Sequence, residues 1–219
     1  MKIIPSLVEQ SAPALFDRIA FLSPYFRQFQ IDIEDGIFVK NKTLRVEEFV
    51  SFVLSNPPTH SPFVYDFHLM VCDPENHLPI IAKLPRQMVG TIFIHFPVFP
   101  PYQLLTTTYP TYQFGLVLNP EDKVQDIPPT LISSLPALQL MTIHPGPQGQ
   151  PFIKEVLIKI EQLRNRGFGG KIYIDGAVNE TTFPLFSSLR FQPDFLCPGS
   201  YLAKSPKEDL ARRVRYLMS

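Results

Sequence analysis

Short apolar runs alternate with helical stripes along the whole chain, and nothing else in it restricts the fold as much. Ile3 to Leu7, Gln30 to Glu34, Phe63 to Leu69, Thr91 to His95, Phe114 to Leu118, Leu138 to Ile143, Lys171 to Asp175 and Pro193 to Cys197 each read as a strand. Between them apolar residues recur at helical spacing. Ser11 caps a stripe of Leu15, Phe16, Ile19 and Leu22, and Val46, Phe49, Val50, Val53 and Leu54 form the next. Asp73-Pro74 signals a helix start that Pro79 keeps short. Tyr102 to Thr108 is the weakest helical stretch. The strongest is Phe152, Ile153, Val156, Leu157, Ile160 and Leu163, stopping at Gly167. Ser205-Pro206-Lys207-Glu208 reads as a capping box opening a last helix that buries Leu210, Val214 and Leu217. Eight strands alternating with helices predict an α/β fold, a (β/α)8 TIM barrel in a single domain over residues 1–219. A doubly wound open sheet is the alternative.

Composition narrows the function classes. Hydrophobic residues make up 45% and charged residues 18%, so the chain is globular. Twenty basic residues balance twenty acidic ones, which leaves no footprint for nucleic acid or an anionic membrane. No apolar run approaches the ~20 residues of a membrane span. Lys2 and two apolar residues before Pro5 are too short for a signal peptide, so a cytoplasmic protein is expected. Cys72 and Cys197 are expected as two free thiols. The 24 prolines crowd into runs such as Phe99-Pro100-Pro101 and Ile127-Pro128-Pro129, which read as rigid loops. Of ten glycines, Gly36, Gly146, Gly149, Gly176 and Gly199 follow proposed strands; in a barrel those loops share the face that carries the site.

Strand alternation assigns the chemistry. In Gln30-Ile31-Asp32-Ile33-Glu34, Ile31 and Ile33 face the helices, while Gln30 and Asp32 point into the sheet. A carboxylate there is costly unless paired or bound to a metal. Asp66 and His68 share a face of the third strand, and Asp175 ends the seventh. An imidazole, two carboxylates and one more donor compose a metal site. Two carboxylates facing each other across a barrel can serve both faces of one carbon. Loops at His144 to Gln150, Asp175-Gly176-Ala177 and Pro198-Gly199-Ser200 offer backbone N–H groups to an anion, which points to a phosphorylated ligand.

These residues resemble the ribulose-phosphate 3-epimerase family. The likeness rests on Pro5-Ser6, Ile31 to Val39, Asp66 to Met70, Asp73 to Glu75, Gly115 to Pro120, Leu140 to Thr142 with Pro145-Gly146, Gln150 to Phe152, Ile174 to Gly176 with Val178-Asn179, and Gly199-Ser200. They occur in the family's order over nearly the full chain. The resemblance implies interconversion of D-ribulose 5-phosphate and D-xylulose 5-phosphate, in the pentose phosphate pathway, through a metal-stabilised enediolate. It implies Asp32 and Asp175 as base and acid, and Gln30, Asp32, His68 and Asp175 around a divalent metal. It also implies Ser6, His68, Met70, Met141, Gly146, Pro147, Gln148, Gly149, Asp175, Gly176, Ala177, Gly199 and Ser200 against a phosphosugar substrate. A homo-oligomer is left open.

Three departures stand out. Zinc is the ion the resemblance implies, but Gln30 occupies the place of the family's first metal-binding His and is a poorer zinc ligand, so weaker metal binding, a shift towards iron, manganese or magnesium, or another donor such as His95 or His144 is expected. Glu34 stands where an apolar methionine is usual and reads as a solvated rim residue, or else as a change in the charge of the site. Pro147-Gln148 and Ala177 alter the phosphate loops. The alternatives are therefore epimerisation of a hexulose 6-phosphate, or a non-catalytic phosphosugar-binding barrel that has lost its metal.

Overall fold

The computed structural model describes residues 1–56, 63–147 and 149–219. Nine strands form one all-parallel sheet: β1 (Lys2–Ile3), β2 (Ser6–Leu7), β3 (Gln28–Glu34), β4 (Val64–Met70), β5 (Val89–His95), β6 (Gln113–Leu118), β7 (Ala137–Met141), β8 (Lys171–Asp175) and β9 (Phe195–Cys197). Strands β1 and β2 are one barrel strand broken at Ile4-Pro5, because Pro5 has no N–H to give a ladder. The first half pairs with β9 and the second with β3, so the sheet closes. Ile4 N–H donates to Leu196 at 3.0 Å and Gln30 N–H to Pro5 at 2.9 Å across the seam. Closure removes the open-sheet alternative; the chain is a TIM barrel.

The helices are α1 (Ala12–Leu22), α2 (Val46–Ser55), α3 (Leu78–Ile81), α4 (Tyr102–Thr108), α5 (Pro129–Ser134), α6 (Ile158–Asn165), α7 (Phe183–Ser187), α8 (Ser200–Ala203) and α9 (Lys207–Leu217). Ser11 caps α1 by accepting the Ala14 N–H, and the weak stretch at 102–108 is helical as expected. Several readings need correction. The strongest stripe is not one helix: Phe152 and Ile153 lie outside any helix, Lys154–Leu157 is a 3-10 turn, and only then does α6 run. Burial of one face is served by either helix type, so the stripe could not separate them. The proposed capping box before α9 is not formed. Pro206 stands at the cap, and the Ser205 hydroxyl donates to the Pro206 carbonyl. Pro129, read as loop, is the first residue of α5, where its missing N–H costs nothing. The sixth strand ends at Met141, and Thr142-Ile143 already bend away.

Two layers of core follow from the alternation. Residues pointing outward from the strands, such as Ile31, Phe67, Ile92, Leu116, Leu138 and Ile174, pack under the helices. Inside the barrel Ile4, Phe93, Val117, Ala137, Met141, Tyr173 and Cys197 form a smaller cluster. Below it Asp66 is fully buried. The register between β4 and β5 shifts at Tyr65/Phe67, and there the Asp66 carboxylate accepts the Thr91 N–H at 2.7 Å and the Gln28 amide at 2.8 Å. Gly90 makes room for it, since a Cβ at that position would lie 2.0 Å from Asp66 Oδ1. Both cysteines are free. Among the described residues no helix is long and apolar enough to cross a membrane.

Candidate active site

The carboxyl ends of β3, β4, β7 and β8 meet at one polar cluster. Asp32 and Asp175 are each 5% exposed, and Gln30, His68 and Gln139 are fully buried beneath them. The Gln30 amide donates to Asp32 Oδ1 at 3.1 Å and to Asp175 Oδ2 at 2.7 Å. His68 Nδ1 lies 3.2 Å from Asp32 Oδ1 and 3.3 Å from Asp175 Oδ2. Gln139, on β7, donates to Asp175 Oδ2 at 3.0 Å. Strand register brings them together: Gln30 pairs with Asp66, Asp32 with His68, and Met141 with Asp175. Thr43 holds the end of β3, donating to the Asp32 carbonyl and accepting from the Glu34 N–H. Thr142 ties β7 to β8 through the Asp175 and Gly176 carbonyls.

The imidazole is oriented from behind. His68 Nε2 lies 2.9 Å from His95 Nε2, and His95 Nδ1 lies 2.9 Å from Asn119 Oδ1. With the Asn119 oxygen toward the ring, His95 donates through Nδ1 and accepts at Nε2, so His68 donates from its own Nε2. His68 Nδ1 then faces two carboxylates either as an imidazolium proton or as a lone pair aimed at a cation. Burial works against its charge, but Asp175 and Asp32 outweigh that and push it up to about 9. His95 goes the other way, held well below the usual imidazole range by burial and by His68. Burial raises Asp32 to about 6 against the pull of His68.

The residues fit a divalent cation. Donor atoms of Asp32, His68 and Asp175 all lie within 4.8 Å of one another. Gln30 Oε1 and Gln139 Oε1 are buried without partners, and a half-turn of either amide exchanges nitrogen for an oxygen donor. His95 stands behind His68 rather than beside the carboxylates. His144 is exposed and pairs with Glu121 at 2.7 Å, so it is no replacement ligand.

Above the cluster opens a cavity of about 230 Å³. Ser6, Asp32, Met70, Met141, Gly146, Gly149, Asp175, Gly176, Ala177, Gly199 and Ser200 all line it. Pro147 is exposed and is not among the lining residues, and Gln148 lies outside the described residues. Among the described residues no lysine, arginine or histidine lines the cavity. Ala177 holds a left-handed φ of +50°, beside Gly176 at +109°. Glu34 is the main correction. It is 3% exposed and lines the cavity wall, so it is not a solvated rim residue. Burial, with Asp32 adding, pushes its carboxyl up to about 7.

Gln139 went unnoticed in the sequence. Its signal was there: it is the one polar residue in Leu138-Gln139-Leu140-Met141, in phase with Met141.

Fold and site together define a (β/α)8-barrel enzyme with paired carboxylates at the mouth of the barrel. Comparison with known proteins narrows the class. Residues 2–200 match the Ribulose-phosphate 3 epimerase family. A ribulose-phosphate 3-epimerase of Bacillus subtilis (strain 168) is 32% identical over 197 residues, covering 84% of this chain and 85% of its own. One of Schizosaccharomyces pombe is 26% identical over 210 residues, covering 94% and 90%. Among solved structures, the 3-hexulose-6-phosphate synthase of Salmonella typhimurium superposes with a TM-score of 0.64 at 14% identity, over 99% of this chain and 96% of its own. The phosphoribosyl anthranilate isomerase of Thermus thermophilus gives 0.60 at 15%, over 99% and 96%; both likenesses are of fold. The chain belongs to the ribulose-phosphate 3-epimerase family.

Proposed function

We propose that this protein interconverts D-ribulose 5-phosphate and D-xylulose 5-phosphate by inverting C3. The observation that carries the reading is the placement of Asp32 and Asp175. They come from β3 and β8, share the Gln30 amide and the His68 ring, and open into one cavity. Asp32 takes the C3 proton from one face, and Asp175 returns a proton to the other. In the reverse reaction the roles exchange. A divalent cation held by Asp32, His68 and Asp175, with the Gln30 amide oxygen beside them, would draw off the charge that develops on the carbonyl and neighbouring hydroxyl oxygens. Three carboxyls and no cationic side chain in the described lining favour such an ion. Gln30 makes the donor set richer in oxygen, so zinc, iron(II), manganese and magnesium are all candidates.

The chain's own groups do the rest. Asp32, raised to about 6, is poised near neutral pH, which suits a residue that both accepts and gives protons. Backbone N–H groups at Gly146, Gly149, Gly176, Ala177, Gly199 and Ser200 receive the phosphate. Ser6 contacts the sugar, and Met70 and Met141 wall the reacting carbons against water.

The test is turnover of ribulose 5-phosphate by protein stripped of metal and reloaded with each ion in turn. Activity with at least one ion is expected, and none with any ion would sink the reading. Asp175→Asn should lower kcat about 10²- to 10⁴-fold while leaving the circular dichroism unchanged. Full turnover in that variant would refute the two-acid mechanism.

A further inference from the structure

Glu34 remains unexplained by the acid–base pair and by the metal donors. It ends β3 in register with Met70, so it continues the wall that Met70 and Met141 build. A wall position facing reacting carbons suits an apolar side chain, yet here it carries a carboxyl group. That carboxyl is almost fully buried, and its Oε2 has no hydrogen-bond partner in the protein. An unpaired buried oxygen of this kind is destabilising, and it persists where something else completes it.

The chemistry of the cavity restricts what that can be. Asp32 and Asp175 already line it, so a second anion beside Glu34 would be repelled. The glycine-bearing loops that line the cavity follow β7, β8 and β9, whereas Glu34 stands on β3. A neutral hydroxyl meets both conditions. It donates to a carboxylate and accepts from a carboxylic acid, so it satisfies Oε2 in either protonation state.

We infer that Glu34 is a specificity-determining residue that hydrogen-bonds a chain hydroxyl of a polyhydroxylated phosphate ester, selecting substrates by that hydroxyl. The inference rests on the phosphosugar reading of the cavity. A site built to bond a hydroxyl rejects an analogue without it far more strongly than an apolar wall does.

Two probes of equal chain length separate the contributions: D-ribitol 5-phosphate, which carries the hydroxyls, and n-pentyl phosphate, which carries none. Dissociation constants are measured by calorimetry for the metal-loaded wild type and for Glu34→Met and Glu34→Gln. Glu34→Met should weaken ribitol 5-phosphate about tenfold to a hundredfold and leave n-pentyl phosphate within about twofold. Glu34→Gln, which still offers an oxygen and an N–H, should recover most of the loss. Equal losses on both probes, or no loss on ribitol 5-phosphate, would overturn the assignment. If the wild type turns over ribulose 5-phosphate and the variants do not discriminate, only the role of Glu34 falls. If the wild type binds neither probe and turns nothing over, the phosphosugar reading falls with it.

Discussion

At the scale of single residues, the site is a set of buried polar groups that satisfy one another incompletely. Gln30 and Gln139 both turn amide nitrogens toward carboxylate oxygens and leave both amide oxygens without partners. Gln30→His tests what this means for metal. An imidazole is a better zinc ligand than an amide oxygen, so zinc should bind about tenfold tighter or more, measured by competition with a chelator. Unchanged affinity would place residue 30 outside the ligand shell. Alternation revealed Gln30, Asp32, His68 and Asp175, because each is a polar residue in phase with an inward face. It was equally able to reveal Gln139. For Glu34 the rim reading fails and the reading as a change in the site stands; the end of a strand carries no mark of whether its last side chain meets solvent or a cavity wall.

At the scale of elements, the barrel accommodates its polar residues by local departures from the ladder. The β4–β5 register shift places the Asp66 carboxylate against the Thr91 N–H, and Gly90 leaves the space for it. Gly90→Ala should drive that carboxylate off its donor. A loss of about 1 to 3 kcal/mol in urea unfolding is expected, with little change in the slope. An unchanged midpoint would show that Asp66 has room elsewhere. Strand positions were largely visible in the sequence, because β-branched and aromatic runs bounded by turn residues mark them. Helix type and helix ends were less visible. The 152–163 stripe divides into non-helical, 3-10 and α segments, and α5, α7 and α8 are too short to establish a period.

The whole molecule buries its inward polar groups in the barrel, and this gives its stability a direction in pH. Burial raises Asp32 from 3.8 to about 6, Glu34 from 4.5 to about 7 and Asp66 from 3.8 to about 7. His68 rises from 6.5 to about 9 through its two carboxylates, despite burial. Every one of these groups holds its proton more tightly in the native state. Each contribution is complete below the unfolded value and is lost as pH rises through the native one. Metal-free protein should therefore lose stability as pH climbs from about 4 to 9. The carboxyls act below about 7, and His68 acts between 6.5 and 9. Melting temperatures across that range check it, and Asp66→Asn should flatten the acidic half. Adding a bound ion at a hundredfold excess over its dissociation constant should restore about 2.7 kcal/mol, seen as a rise in melting temperature.

The sequence alone determined the alternation of strand and helix, which side chains face inward, and where the glycine loops fall. These are local properties, because a period of two or of 3.6 is set by backbone geometry within a few residues. Only the tertiary structure decided that the sheet closes at Pro5 and that the His95–Asn119 pair backs His68. It also decided that Glu34 ends as a wall of the cavity. Those outcomes depend on register between strands far apart in the chain. Alternation gives the direction of a side chain but not what it meets across the barrel.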